Sequence, residues 1–147
     1  MTNVVLVAPS GRVAEILGRL GLPGEGTSVS VVSWSAPDVD NAAVETAAVG
    51  APPSSAEASI VRALAGSPAG RNLLRLLPWD GGRKLRRAVK SNARARALLS
   101  AADIVVVTER DGILTGWHAA HRWAAPSTEV VYGVAAADTL VQTALGA

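Results

Sequence analysis

The stretch Ala102-Asp103-Ile104-Val105-Val106-Val107-Thr108 decides the fold. Its four consecutive apolar β-branched residues, 104–107, show no polar alternation, so a strand built from them must be covered on both faces, as a central strand of a parallel sheet is. Residues 109–125 follow, with Ile113, Leu114, Trp117, Ala120 and Ala124 at helical spacing as the expected inward stripe, and Pro126 stops that helix. A short strand at 129–132 and a last helix at 135–145 complete a strand-helix-strand-helix series.

The chain opens in the same way. Residues 3–8 (NVVLVA) form an apolar run that ends at Pro9-Ser10-Gly11, where the backbone must turn. Residues 12–20 then place Val13, Ile16, Leu17 and Leu20 on one helical stripe, and the Gly-rich segment 21–26 ends it. Residues 27–34 (TSVSVVSW) read as a second strand. Strand, helix and strand in succession imply parallel pairing through a right-handed crossover.

The middle is less regular. Residues 35–53 carry loop signals at Asp38, Asp40 and Asn41, and 42–49 reads as either a short edge strand or a helical turn. Ser54 or Ser55 caps a helix with Glu57 in its first turn and Ile60, Val61 and Leu64 as its apolar stripe. A short helix over 71–77 stops at the breaker Pro78-Trp79-Asp80-Gly81-Gly82. A long helix over 83–101 follows, with Leu85, Ala88, Val89, Asn92, Ala95, Leu98 and Leu99 as its core face.

These elements predict an α/β fold: a single Rossmann-like three-layer domain over 1–147, with a four- or five-stranded mostly parallel sheet and a cationic helical segment at 71–101. In such sheets ligands sit at the carboxyl ends of the strands, where the strand order reverses. The length of 147 residues suits one domain, and with 49% apolar residues but no Phe the core must come from Ala, Val and Leu. No apolar run reaches the roughly 20 residues of a spanning helix, and the N-terminus lacks the layout of a secretory signal, so the expectation is a cytoplasmic protein. The absence of Cys excludes disulfides, thiolate metal sites and cysteine nucleophiles. His118 and His121 share a helix face but lack a third ligand, so neither a metal nor a cofactor is expected.

Two loops are candidate ligand sites. Pro9, Ser10, Gly11 and Arg12 follow the first strand and open a helix, so their backbone N–H groups either hold an anion or form a simple capped turn. Thr108, Glu109, Arg110 and Asp111 follow the central strand, where the two carboxylates either contact a substrate or cap the next helix. Neither loop carries a dinucleotide or P-loop fingerprint.

Charge is segregated along the chain. Residues 58–102 hold ten basic residues against Asp80, a balance of +9, between arms of −4 and −3. Arg71, Arg75, Arg83, Arg87, Lys90 and Arg94 are the candidates for contact with an anionic surface, either a membrane or an acidic protein, if they are not simply a solvated face. Nucleic acid is the less favoured partner.

The strand ending ADIVVVTERD, the Trp117-His118-Ala119-Ala120 helix, the Val130-Val131-Tyr132-Gly133 strand and the opening Val4-Val5-Leu6-Val7-Ala8-Pro9-Ser10-Gly11 resemble the N-terminal, acceptor-side domain of GT-B glycosyltransferases. The resemblance implies a glycosyltransferase-like module that lacks the donor-binding domain and is not catalytic alone. Its expected partners are a protein supplying that domain, a glycan acceptor, or an anionic membrane surface to which it is peripheral. The alternatives are a small nucleotide- or phosphometabolite-binding domain and a non-enzymatic interaction or assembly protein. The Ala-rich last helix adds a homodimer to the expected assemblies.

Overall fold

The computed structural model describes residues 1–52, 54–76 and 80–146, with side chains left out of the description at 75, 76, 145 and 146. The elements run β1 (Thr2–Val7), α1 (Ala14–Leu20), β2 (Thr27–Ser33), β3 (Val44–Ala48), α2 (Ser55–Ala65), α3 (Pro68–Leu76), α4 (Gly81–Ser91), α5 (Ala93–Ser100) and β4 (Ile104–Val107). A 3-10 turn (Arg110–Gly112), α6 (Ile113–His118), a π-helical turn (Ala119–Trp123), β5 (Glu129–Tyr132) and α7 (Val134–Gly146) follow. Among the described residues no helix is long and apolar enough to cross a membrane.

The five strands form one all-parallel sheet in the order β3-β2-β1-β4-β5. The chain therefore builds outward from β1 in one direction, then returns to the centre and builds the other way. Residues of β1 and β4 pair in register from Val4↔Ile104 to Val7↔Val107. Their side chains alternate between two cores. Val4, Leu6, Ile104 and Val106 pack under α1 and α7 with Leu17, Leu20, Ala137 and Val141. Val5, Val7, Val105 and Val107 pack on the opposite face with Leu85, Val89, Ala95, Leu99 and Ala119. This is a Rossmann-like three-layer domain in which each buried Val or Leu contributes about 1.5–3 kcal/mol. The helices α2 and α3 pack mainly on each other, and α2 buries no residue completely.

Several expectations are refined. The ambiguous segment at 42–49 is the edge strand β3. The short helix expected at 71–77 starts earlier, as α3 from Pro68, and its last expected residue, Leu77, with Pro78 and Trp79 of the breaker, lies outside the described residues. The long helix expected at 83–101 is two helices. Asn92 is extended at φ −92° and ψ 109°, and its Oδ1 accepts the Ala95 N–H at 3.0 Å, so the side chain caps α5 instead of continuing α4.

The helix expected at 109–125 also differs. Glu109 is extended, and the helical path begins as the 3-10 turn and ends as the π-helical turn. Its inward face is Gly112, Thr115, Gly116 and Ala119, while Ile113 and Trp117, expected inward, are 48% and 45% exposed. The reason is the close seating of α6 on the central strand: a Cβ at Gly116 would stand 2.4 Å from Val107 Cγ2, and one at Gly112 would stand 3.0 Å from Val107 Cγ1. Only small residues fit this contact.

Two glycines therefore respond oppositely to alanine. Gly116→Ala forces a methyl against the buried Val107 and is expected to destabilise the fold by about 1–3 kcal/mol. Gly18→Ala, with open space around its Cβ and an interior helical position, is expected to stabilise it by up to about 1 kcal/mol. Urea denaturation of both variants checks the pair, and a loss in both or a gain in both contradicts the packing described here.

Candidate functional site

The strand order reverses between β1 and β4, so the loops leaving these two strands diverge and open a crevice at their carboxyl ends. The two loops are tied at the base: Thr108 N–H and its hydroxyl both donate to the Val7 carbonyl at 3.2 Å. Above that tie the Ser10 hydroxyl donates to Glu109 Oε1 at 2.5 Å, and the Ser10 N–H points at both carboxylate oxygens at 3.3 Å.

The β1 loop offers few unoccupied donors. Its Ser10 N–H faces Glu109, and its Arg12 N–H donates to the Ser10 hydroxyl at 3.2 Å. Asp38, from the loop after β2, accepts the Val13 and Ala14 N–H groups at 2.7 and 2.9 Å. Hydrogen bonds from Val13 and then Ala14 hold the Asp38 pKa below its ordinary value. Two of the chain's own carboxylates thus stand where an anion would meet the first turn of α1. Gly11, at φ +74°, closes this turn against Pro37 Cα, which would be 3.3 Å from a Cβ.

The crevice contains three connected depressions. One of about 470 Å³ is bounded by Ser10, Arg12, Ile16, Asp38 and Glu109. A second, of about 250 Å³, lies between Pro9, Trp34, Glu109 and Asp111. A third, of about 600 Å³, shares Asp111 with the second and runs along α6 to Tyr132 at the end of β5. Ile113, Leu114, Trp117 and Tyr132 form its apolar wall, and Asp80, Gly82 and Arg110 complete it.

Asp111 and Tyr132 border this cleft, and both have pKa values raised above the ordinary. Loss of water around Asp111 raises its pKa, and the nearby Asp80 and Glu109 carboxylates add to the rise while Arg110 opposes it. Its carboxylate lies against the start of α4, where a Cβ on Gly81 would meet Asp111 Oδ2 at 2.4 Å. Asp80 caps the same helix by accepting the Arg83 N–H at 3.2 Å. Desolvation also raises the Tyr132 pKa.

All eight loop residues singled out from the sequence lie at this end of the sheet. Ser10, Arg12 and Glu109 meet directly in the crevice, Pro9 borders its middle, Arg110 and Asp111 enter the apolar cleft, and Gly11 and Thr108 serve the backbone. The sequence reading missed Asp38, Asp80, Trp117 and Tyr132 as site residues. The usable signal for Trp117 was the small-residue stripe Gly112, Thr115, Gly116 and Ala119, which competes with the large apolar one for the sheet.

The cationic candidates differ in their partners. Arg94 pairs with Glu45 at 3.2 Å, and Arg71 donates to the Ala65 carbonyl at 3.4 Å. Arg83, Arg87 and Lys90 are exposed on α4, and none of the ion pairs among the described residues involves them. The Arg75 side chain lies outside the described residues. The apolar side of α4, Leu85 and Val89, is buried, so its outer face presents charge alone.

Beside the cleft, His118 and His121 stack on Trp123 and Trp117 at centroid distances of 5.6 and 4.4 Å. Partial burial, followed by Arg86 and Arg122, lowers the His118 pKa.

No known protein-family model matches this chain, and neither a curated protein nor a solved structure matches it.

The raised Asp111 pKa fixes a sign for pH dependence. Its charged form is disfavoured in the native state, so its destabilising effect is absent below the ordinary carboxylate pKa and grows as pH rises through the folded-state value. Asp111→Asn is therefore expected to raise Tm near neutral pH, with the gain vanishing in acid. Paired melts from about pH 3 to pH 8 check this, and a pH-independent difference contradicts the assignment.

Proposed function

We propose that this chain is a glycosyltransferase-like acceptor-side module, not catalytic alone, that binds a glycan-type acceptor in the cleft between the start of α4, α6 and the end of β5. The observation that supports this reading most is the composition of that cleft, in which two half-exposed rings, Trp117 and Tyr132, stand beside Asp80, Asp111 and Arg110. A sugar ring offers an apolar C–H face bordered by hydroxyls. Aromatic rings match the first feature, and carboxylates and a guanidinium match the second.

The same end of the sheet weighs against a phosphate-bearing ligand. A nucleotide phosphate at the β1 loop would have to displace Glu109 and Asp38 from their N–H donors and then face their charge. In this reading a partner protein supplies the donor-binding domain. In that arrangement the Asp111 carboxylate, which borders the cleft, accepts a hydrogen bond from an acceptor hydroxyl.

The test is a thermal-shift and calorimetric screen of the purified chain against p-nitrophenyl glycosides and nucleotides. Binding to the native state raises Tm. A rise with a glycoside is expected, with Trp117→Ala and Tyr132→Ala each weakening its affinity about tenfold or more. A nucleotide-selective rise abolished by Arg12→Ala overturns the reading.

A second reading, attachment to an anionic membrane, is favoured by the exposed Arg83, Arg87 and Lys90, which enter no ion pair among the described residues. Because α4 has no outward apolar face, the attachment would rest on charge and reverse with salt. Cosedimentation with vesicles rich in phosphatidylserine at low salt, lost in the triple alanine variant, is the expected outcome. Failure of the folded parent to sediment removes this reading.

A further inference from the structure

A groove of about 380 Å³ runs between α5 and the π-helical turn, away from the carboxyl-end crevice. Its two walls lead into the amino ends of β4 and β5. Ala93, Arg96, Ala97 and Ser100 recur at intervals of three and four residues, so they form one outward stripe of α5, and Arg122 and Trp123 face them from the turn. The buried contacts of α5 are made by Ala95 and Leu99, so the core does not need this stripe.

Arg96 and Arg122 border the same groove, both are exposed, and neither belongs to an ion pair among the described residues. Two guanidinium groups facing one space repel each other unless an anion lies between them. Ala93 and Ala97 leave room for one. The first turn of α5 contains no acidic residue, so the positive end of the helix is not offset there by a carboxylate of its own. Trp123 also borders the groove, and its ring stacks on His118 with 25° between the planes.

We propose that this groove binds a small phosphate monoester carrying a planar ring, with the phosphate between Arg96 and Arg122 and the ring against Trp123. A monoester carries about −1.5 to −2 charge at neutral pH and so balances both guanidinium groups, whereas a carboxylate balances one. Its three oxygens also match the forked donors of two arginines. The groove is within the roughly 300–1,000 Å³ of small-ligand sites.

Isothermal titration calorimetry of the full chain with phenyl phosphate, inorganic phosphate and benzoate tests the proposal. Phenyl phosphate is expected to bind more tightly than either of the others. Arg96→Ala and Arg122→Ala are each expected to weaken it by at least about tenfold. Trp123→Leu is expected to bring it down to the affinity of inorganic phosphate. Arg62→Ala, which removes a cation of the same block outside the groove, is expected to change affinity by less than about twofold. The two arginines are exposed, so their variants retain the fold and circular dichroism verifies this. Absence of phenyl phosphate binding at millimolar concentration overturns the proposal, as does equal weakening by Arg62→Ala and Arg96→Ala.

Discussion

The pairing of β1 with β4 governs the rest of the molecule. Both strands are apolar on both faces, so neither tolerates an edge position, and placing them side by side buries each between two helical layers. The chain then extends from this pair in opposite directions, and the loops at its carboxyl ends must part. The crevice follows from that divergence, and the ties from Thr108 to Val7 and from Ser10 to Glu109 hold its two lips in register across about a hundred residues of sequence.

Within the crevice, residues of one chemical type are driven in opposite directions. Asp38 accepts two backbone N–H groups, which stabilise its charge and lower its pKa. Asp111 loses water without gaining comparable donors and faces Asp80 and Glu109, which raises its pKa. The first carboxylate belongs to the architecture, since α1 would otherwise begin with orphaned donors. The second is held at a cost to the charged native form, and a ligand that donates a hydrogen bond to it would relieve that cost.

Much of the fold was legible because the signals were redundant. The run from Ile104 to Val107 and the run from Val4 to Val7 each excluded an edge strand, and the Gly- and Pro-rich breaks between helices fixed their order. The break at Asn92 was not read because a single capping side chain looks the same in sequence as an ordinary polar residue inside a helix. The loops of the site were legible from strand order, whereas Asp38 reaches α1 from 24 residues away and Tyr132 reaches the cleft from the last strand. Periodicity reports which residues share a face, and it does not report which face another element will cover.

That ambiguity is sharpest on α6. Large apolar residues occupy one side of this helix and Gly112, Thr115, Gly116 and Ala119 the other, and a hydrophobicity rule alone turns the large side inward. The close approach to Val107 reverses that choice, because tight packing over the central strand outweighs burial of the larger side chains. The consequence is a half-exposed Trp117 at the same cleft as a half-exposed Tyr132. In a chain with four Trp, one Tyr and no Phe, two of the five aromatic rings therefore border one cleft. Solvent-facing apolar area of this kind is costly unless something covers it, so the seating that secures the core also leaves the molecule with its most evident contact surface.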